Sequence, residues 1–307
     1  MHAAGTRYGE WEFWAGPLDE AGNPPIDCHR FDHIWEITRA DLETYAETGV
    51  PTPNLLQWPW YHGAPVLDGD GVEGNYNLKG GDRPALLGDQ MLWWVMNDRG
   101  NEHRSTGAPP IGLEVHASAF AFHHPRSYLN TTTFYRYRLI NKNTEPLEET
   151  YFGFFTDPDL GNFDDDYVGS DSLLHMAYVY NSDNFDDGTE GYGEAPPAVG
   201  YTFIRTATDP DGRDNDHDGT VDEPGEQQGM SSFVKYYGGG CASCDPQRGW
   251  DYYYYMQARW KDGQPVTYGG MGHGFSQIPI NYAFPGDPVT GEGWSEFNPA
   301  GDGSLPP

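Results

Sequence analysis

From Asp209 to Glu226 the chain reads Asp-Pro-Asp-Gly-Arg-Asp-Asn-Asp-His-Asp-Gly-Thr-Val-Asp-Glu-Pro-Gly-Glu, and its spacing dictates one particular chemistry. Asp214, Asp216 and Asp218 alternate and Gly219 follows, the opening of a D-x-D-x-D-G calcium loop. Calcium is a hard cation that takes six to eight oxygens at roughly 2.3–2.6 Å, and alternate carboxylates on a curled loop supply them. Gly219 permits the turn, Thr220 offers its carbonyl, Val221 stands where an apolar anchor belongs, and Asp222 is at the ninth position. The twelfth position, a bidentate Glu in an EF-hand, is Gly225, with Glu223 and Glu226 nearby and no helical pattern on either side. The stretch therefore reads as a calcium loop within a β-protein, with Asp209 and Asp211 as further ligands; the alternative is a solvated acidic loop.

Two more acidic stretches carry the same chemistry. Residues 157–171 hold Asp157, Asp159, Asp164, Asp165, Asp166 and Asp171, which cannot all be buried as free anions. They are solvated or they share a cation, and the interspersed Leu160, Phe163, Tyr167 and Val168, expected to pin the loop to a core, favour the cation. Earlier, Asp68, Asp70 and Glu73 alternate with glycines and precede Asn75 and Asn77, either a further calcium loop with amide ligands or an ordinary turn.

Other reactive residues are less specific. His29 and His33 would share a face only on a helix, which Pro24-Pro25 and the extended look of residues 34–37 argue against. Cys241-Ala-Ser-Cys244 reads as a disulfide, a metal half-site or a redox pair; no further zinc ligands stand at a recognisable spacing. A local Cys241–Cys244 disulfide, or one to Cys28, is expected of an extracellular chain. Ser170, Asp171, Ser172 and His175 mimic a triad fragment, although proximity in sequence is weak evidence for one. Hydrolase, zincin, phosphate-loop and dinucleotide motifs are absent, and no acid stands alone in an apolar strand as a glycosidase carboxylate would.

Composition limits the partners. A formal charge of -30, from 47 acids against 17 bases, argues against nucleic acid or an anionic membrane and suits divalent cations. Aromatic residues reach 15%, so the chain is not a disordered acidic tract, and 21 Tyr with 10 Trp suit a sheet protein with a wet surface or a binding face. No apolar run is long enough to span a membrane. No signal peptide stands at Met1, so an exported protein with this sequence is expected to be an internal piece or a processed form.

The elements that must position these residues read as β. With 40 Gly and 25 Pro the chain is cut into short segments, the mark of an antiparallel all-β sandwich with long loops. One short helix is expected at 38–48, capped by Thr38 with Asp41 in its first turn and Leu42 and Tyr45 inward, and stopped by Gly49. Strands are expected at 88–98 and 111–122, then a hairpin of 132–140 with 150–155, and further strands at 173–180, 199–205, 233–237 and 250–260. In the last of these, Tyr252–Tyr255 would divide between core and outer face. The expected division is a loop-rich, aromatic part at 1–110 packed on a sandwich at 111–307.

Several longer runs carry a resemblance: Trp58-Pro-Trp60, Gly63-Ala-Pro-Val66, Gly80-Gly-Asp-Arg-Pro84, Trp93-Trp-Val-Met-Asn-Asp98, Phe134-Tyr-Arg-Tyr-Arg-Leu-Ile-Asn141, Asp157-Pro-Asp-Leu-Gly161 and Gly193-Glu-Ala-Pro-Pro-Ala-Val-Gly200. Together they resemble a region of large secreted cargo proteins of the bacterial type IX secretion system. The resemblance implies export to the cell surface or medium and supplies no catalytic residues. The expectation is an extracellular, calcium-stabilised structural or adhesive module, its aromatic residues meeting glycans or further copies in a fibre or layer. A secreted polysaccharide-binding or polysaccharide-degrading protein is the alternative.

Overall fold

A computed structural model gives the fold and describes residues 6–7, 10–124, 127–204, 206, 212, 214, 219–224 and 226–301. The described residues are mostly β, in several antiparallel sheets, with three short α-helices where the sequence suggested one. The chain divides into two compact units, Met1–Thr150 and Tyr151–Pro307.

The first unit opens with the ladder of β1 (Thr6–Arg7) and β2 (Glu10–Trp11). It continues through β3 (Trp14–Ala15), β4 (Trp35–Thr38), α1 (Arg39–Thr48), α2 (Pro53–Gln57), and a ladder of β5 (Val66–Leu67) on β6 (Arg83–Pro84). The long strands β7 (Gln90–Asn97), β8 (Leu113–Ala121) and β9 (Thr133–Asn141) complete it. Five strands form one sheet in the order β3-β7-β8-β9, with β4 also on β7, so pairing runs across position 110.

The expected helix forms as α1 for local reasons. The Thr38 hydroxyl accepts the Asp41 N–H at 3.2 Å while Asp41 accepts the Thr38 N–H at 3.0 Å, a reciprocal cap. Gly49, at φ 68°, then ends the helix in the left-handed region, where a glycine is unstrained. Leu42 and Tyr45 pack on a core made by Ile37, Leu55, Trp58, Ala64, Met91, Trp93 and Val95.

β7 forms where a strand was expected and buries one face more than the other, with Met91, Trp93 and Val95 buried and Leu92, Trp94 and Met96 only partly so. β8 departs from a half-buried strand, because Glu114, His116 and Ser118 are buried along with Leu113, Val115, Ala117 and Ala119. Its polar residues share a sheet face with Trp93 and Val95, and His116 is tied to Glu114 at 2.8 Å. β9 pairs with β8, and the expected return strand at 150–155 does not form. Tyr151 instead meets Tyr253 edge-on, Phe154 lies tilted against Tyr201, and Phe155 stacks on Tyr236.

The second unit has a three-stranded sheet of β10 (Asp166–Asp171), β11 (Met176–Asn181) and, after the small ladder of β12 (Phe185–Asp186) on β13 (Gly193–Glu194), β14 (Ala198–Thr202). Its core gathers Tyr255, Ala258, Trp260, Val266, Tyr268, Ile280, Ala283, Phe284 and Trp294, largely from irregular chain. The expected strand at 233–237 is reduced to isolated bridges, Phe233 to Tyr282 and Tyr237 to Cys244. The expected strand at 250–260 begins as α3 (Gly249–Tyr255). Asp251 overrides the β preference of the tyrosines there by accepting the N–H groups of Gln247 and Arg248, at 2.8 and 3.1 Å, across the helix start. Among the described residues, no helix is long and apolar enough to cross a membrane.

Trp93 is 1% exposed and packs against Trp35 and Trp58, whereas Trp94 is half-buried. Trp93→Ala is therefore expected to cost about 3–5 kcal/mol in denaturant unfolding, and Trp94→Ala clearly less. Equal losses would mean that the two sheet faces are packed alike.

Candidate metal centre

Asp68, Asp70 and Asp82 each bring a carboxylate oxygen to one place, all within 4.8 Å of one another. The β5–β6 ladder closes the loop that carries them, and the loop is too tight for side chains at its crossing point. A Cβ on Gly69 would lie 2.3 Å from the backbone of Gly81. Asp82 is 2% exposed and accepts the N–H groups of Gly69 and Asn77, at 2.9 and 2.6 Å. Asp68 Oδ1 accepts from Asp70 N and Gly71 N, folding the acidic turn back on itself.

Asp70 is oriented by amides. Asn77 Nδ2 donates to it at 2.8 Å and Asn75 Nδ2 at 3.2 Å, with the Val72 N–H at 3.0 Å. These bonds, the Asn77 amide foremost, hold its carboxyl below the ordinary carboxylate range against the opposing cost of desolvation. As a calcium loop the stretch would use the Asn75 or Asn77 amide as a ligand; here the N–H groups of both serve the Asp70 carboxylate, and Asn77 Oδ1 accepts from Gly80 N. Glu73 is exposed and outside the group. Asp82 escaped that reading because it stands beyond the loop's local spacing, and the Gly80-Gly81 turn before it was the available signal. The donors are all hard oxygens, with neither His nor Cys, so the group suits calcium or magnesium rather than zinc.

The other acidic stretches stand differently. Of the loop at 209–226, Asp209, Asp211, Asp216 and Asp218 lie outside the described residues. Asp214 Oδ2 accepts Gly219 N at 2.9 Å, and both oxygens of Asp222, a residue at φ 55°, accept Gly212 N at 3.1 Å. Glu226 N donates to the Glu223 carbonyl, Thr220 is exposed, and Val221 is exposed instead of anchored. In the stretch at 157–171, Leu160 is buried but Phe163 is exposed. Asp157 and Asp164 are exposed, as Asp171 is in part, and Asp159 lies close enough to act on the charge of Asp166. Asp166 and Asp171 begin and end β10, about 17 Å apart at a strand's rise per residue, so they cannot share an ion. Asp171 closes a turn by accepting Leu174 N.

The triad-like fragment does not assemble, since Ser170 is buried and its hydroxyl donates to the Ala283 carbonyl at 2.8 Å. Cys241 and Cys244 are joined in a disulfide, with Cα atoms 4.9 Å apart, and Cys28 is free. His29 and His33 are exposed, His29 on a single 3₁₀ turn.

A depressed carboxyl pKa contributes stability that is present above the unfolded value, about 3.9, and lost as pH falls through the folded one. In chelator, Asn77→Ala is accordingly expected to be less stable than the parent near neutrality, with the gap narrowing below about pH 4 as Asp70 protonates in both. A gap independent of pH in thermal melts would remove Asn77 from that role.

No protein-family model, no curated protein and no solved structure matches this chain.

Proposed function

We propose that this protein is an extracellular structural or adhesive module of a secreted bacterial surface protein, with acidic loops clamped by calcium. The observation that carries the reading is the convergence of Asp68, Asp70 and Asp82 on one point. Three carboxylates so close repel one another, and a divalent cation turns that repulsion into a cross-link between the two halves of the loop. The net charge of -30 and the disulfide fit an environment rich in divalent ions and oxidising toward thiols. The resemblance to type IX secretion cargo points to the same environment.

Adhesion would fall to exposed aromatic residues. On β9, Tyr135 and Tyr137 are 62% and 53% exposed and stand on one sheet face with Leu139. Aromatic faces of this kind suit stacking on sugar rings or on a second copy, which also keeps the polysaccharide-binding reading in play.

Sites of extracellular modules bind with Kd values of roughly 10⁻⁴–10⁻³ M, so calcium at about a hundred times Kd stabilises by about 2.7 kcal/mol. For a unit of this size that raises Tm by about 5–10 °C over chelator-treated protein. Asp68→Asn and Asp70→Asn are each expected to reduce both the shift and the calcium counted by elemental analysis. A wild-type chain with no bound calcium and no shift would sink the reading.

A further inference from the structure

Among the described residues of the second unit, the buried side-chain oxygens that receive no hydrogen bond include three from one end of the β10–β11 pair: Asp165 Oδ1, Asp166 Oδ1 and Asn181 Oδ1. Asp166 and Asn181 stand directly opposite in the β10–β11 register, so their side chains lie side by side on one sheet face. Asp165 is the residue before, and its carbonyl accepts the N–H of Ser182, the residue after Asn181, at 2.8 Å. The three oxygens thus belong to one end of one strand pair.

Asn181 is the informative residue. It is 6% exposed, and its Nδ2 donates to the carbonyls of Asp183 and Phe185 at 3.2 and 3.3 Å. Those two carbonyls fix the amide's orientation, because a flipped amide would set oxygen against oxygen. Oδ1 therefore points away from them, on the sheet face shared with Asp166. The remaining oxygens of the acids are already committed: Asp166 Oδ2 accepts Leu160 N at 2.9 Å, and Asp165 Oδ2 accepts Asp187 N at 3.2 Å. Nearby Asp186, 1% exposed, accepts Asn162 N and Tyr192 N, adding negative charge but no free donor. Gly161 leaves it the space, since a Cβ there would lie 1.9 Å from Asp186 Oδ2.

A buried acceptor without a donor is costly, and three at one end of a strand pair call for a positive charge or a proton. A proton on Asp166 would satisfy two of them by donating to Asn181 Oδ1, and would leave Asp165 Oδ1 unpaired. A hard cation satisfies all three. We propose that Asp165, Asp166 and Asn181 form a calcium site in the second unit, built on residues separate from the Asp68/Asp70/Asp82 group. It rests on the calcium reading above but on different residues, so either site can fail alone.

The test is calorimetric titration of calcium into the chelator-treated chain, with elemental analysis, for the parent, Asp70→Asn, Asp166→Asn and the double variant. Asp166→Asn gives Asn181 Oδ1 an N–H donor, so the chelator-treated variant should melt at or above the parent while binding one calcium fewer, or binding that ion about tenfold or more weakly. Should Asp166→Asn fail to fold, Asp165→Asn carries the same expectation for calcium. If the second-unit variants bind as much calcium as the parent while Asp70→Asn loses an ion, the second-unit site is wrong and the first stands. Loss only in the second-unit variants upholds this site and removes the first. A parent that binds no calcium overturns both.

Discussion

A buried backbone N–H with no ladder partner must still find an acceptor, and in this chain the acceptor is repeatedly a carboxylate from a distant segment. Glu114 takes Leu18 N from 96 residues away, Glu12 takes Thr106 N from 94, and Glu296 takes Val168 N from 128, each at 2.6 Å. Asp98 takes Ile111 N and Leu113 N where β8 begins, Asp82 holds two amides of its own loop, and Asp186 holds Tyr192 N together with Asn162 N from 24 residues away. A carboxylate offers about four acceptor positions, so one acid can pin several strands of irregular chain. The long connections depend on these contacts, because short sheets alone leave much of the backbone unpaired.

The same device creates the need for cations. Each acid drawn inward brings charge as well as acceptors, in a chain already at -30. Where Lys142 stands 3.6 Å from Glu114, or Lys235 2.6 Å from Glu296, a side chain supplies the balance. With 17 basic residues for 47 acids, that solution is not open everywhere. Asp68, Asp70 and Asp82 are a place where oxygens converge and, among the described residues, none of the three is in an ion pair with a base, which is the environment a hard ion matches.

Aromatic side chains answer the complementary problem of unpaired carbonyls. Trp58, Trp260 and Trp294 are buried in the two cores, yet each indole N–H reaches a loop carbonyl, of Pro65, Gly272 and Gly270 respectively. The Tyr76, Tyr255 and Tyr282 hydroxyls do the same for Leu55, Cys244 and Met230. A ring with a polar tip therefore fills a core and ties down a loop at once, which fits an aromatic share of 15% in a chain that is 37% hydrophobic. Acids accept from the backbone and aromatic residues donate to it.

Sequence by itself determined what is local. The reciprocal Thr38–Asp41 cap, the Gly49 stop, the strand at β7, and the acidic turn at Asp68 and Asp70 all depend on residues a few positions apart. Tertiary structure decided whatever joined distant residues: Asp82 completing that turn, the burial of Glu114 and His116 on a face that reads as polar, β9 pairing backward onto β8, and Asn181 facing Asp166. It also overrode the β preference of Tyr252–Tyr255, because Asp251 could hold the amides at a helix start. The physical reason is that spacing along a chain specifies torsions and turns, whereas the partner of a buried charge is set by which segments the folded chain brings within hydrogen-bond reach.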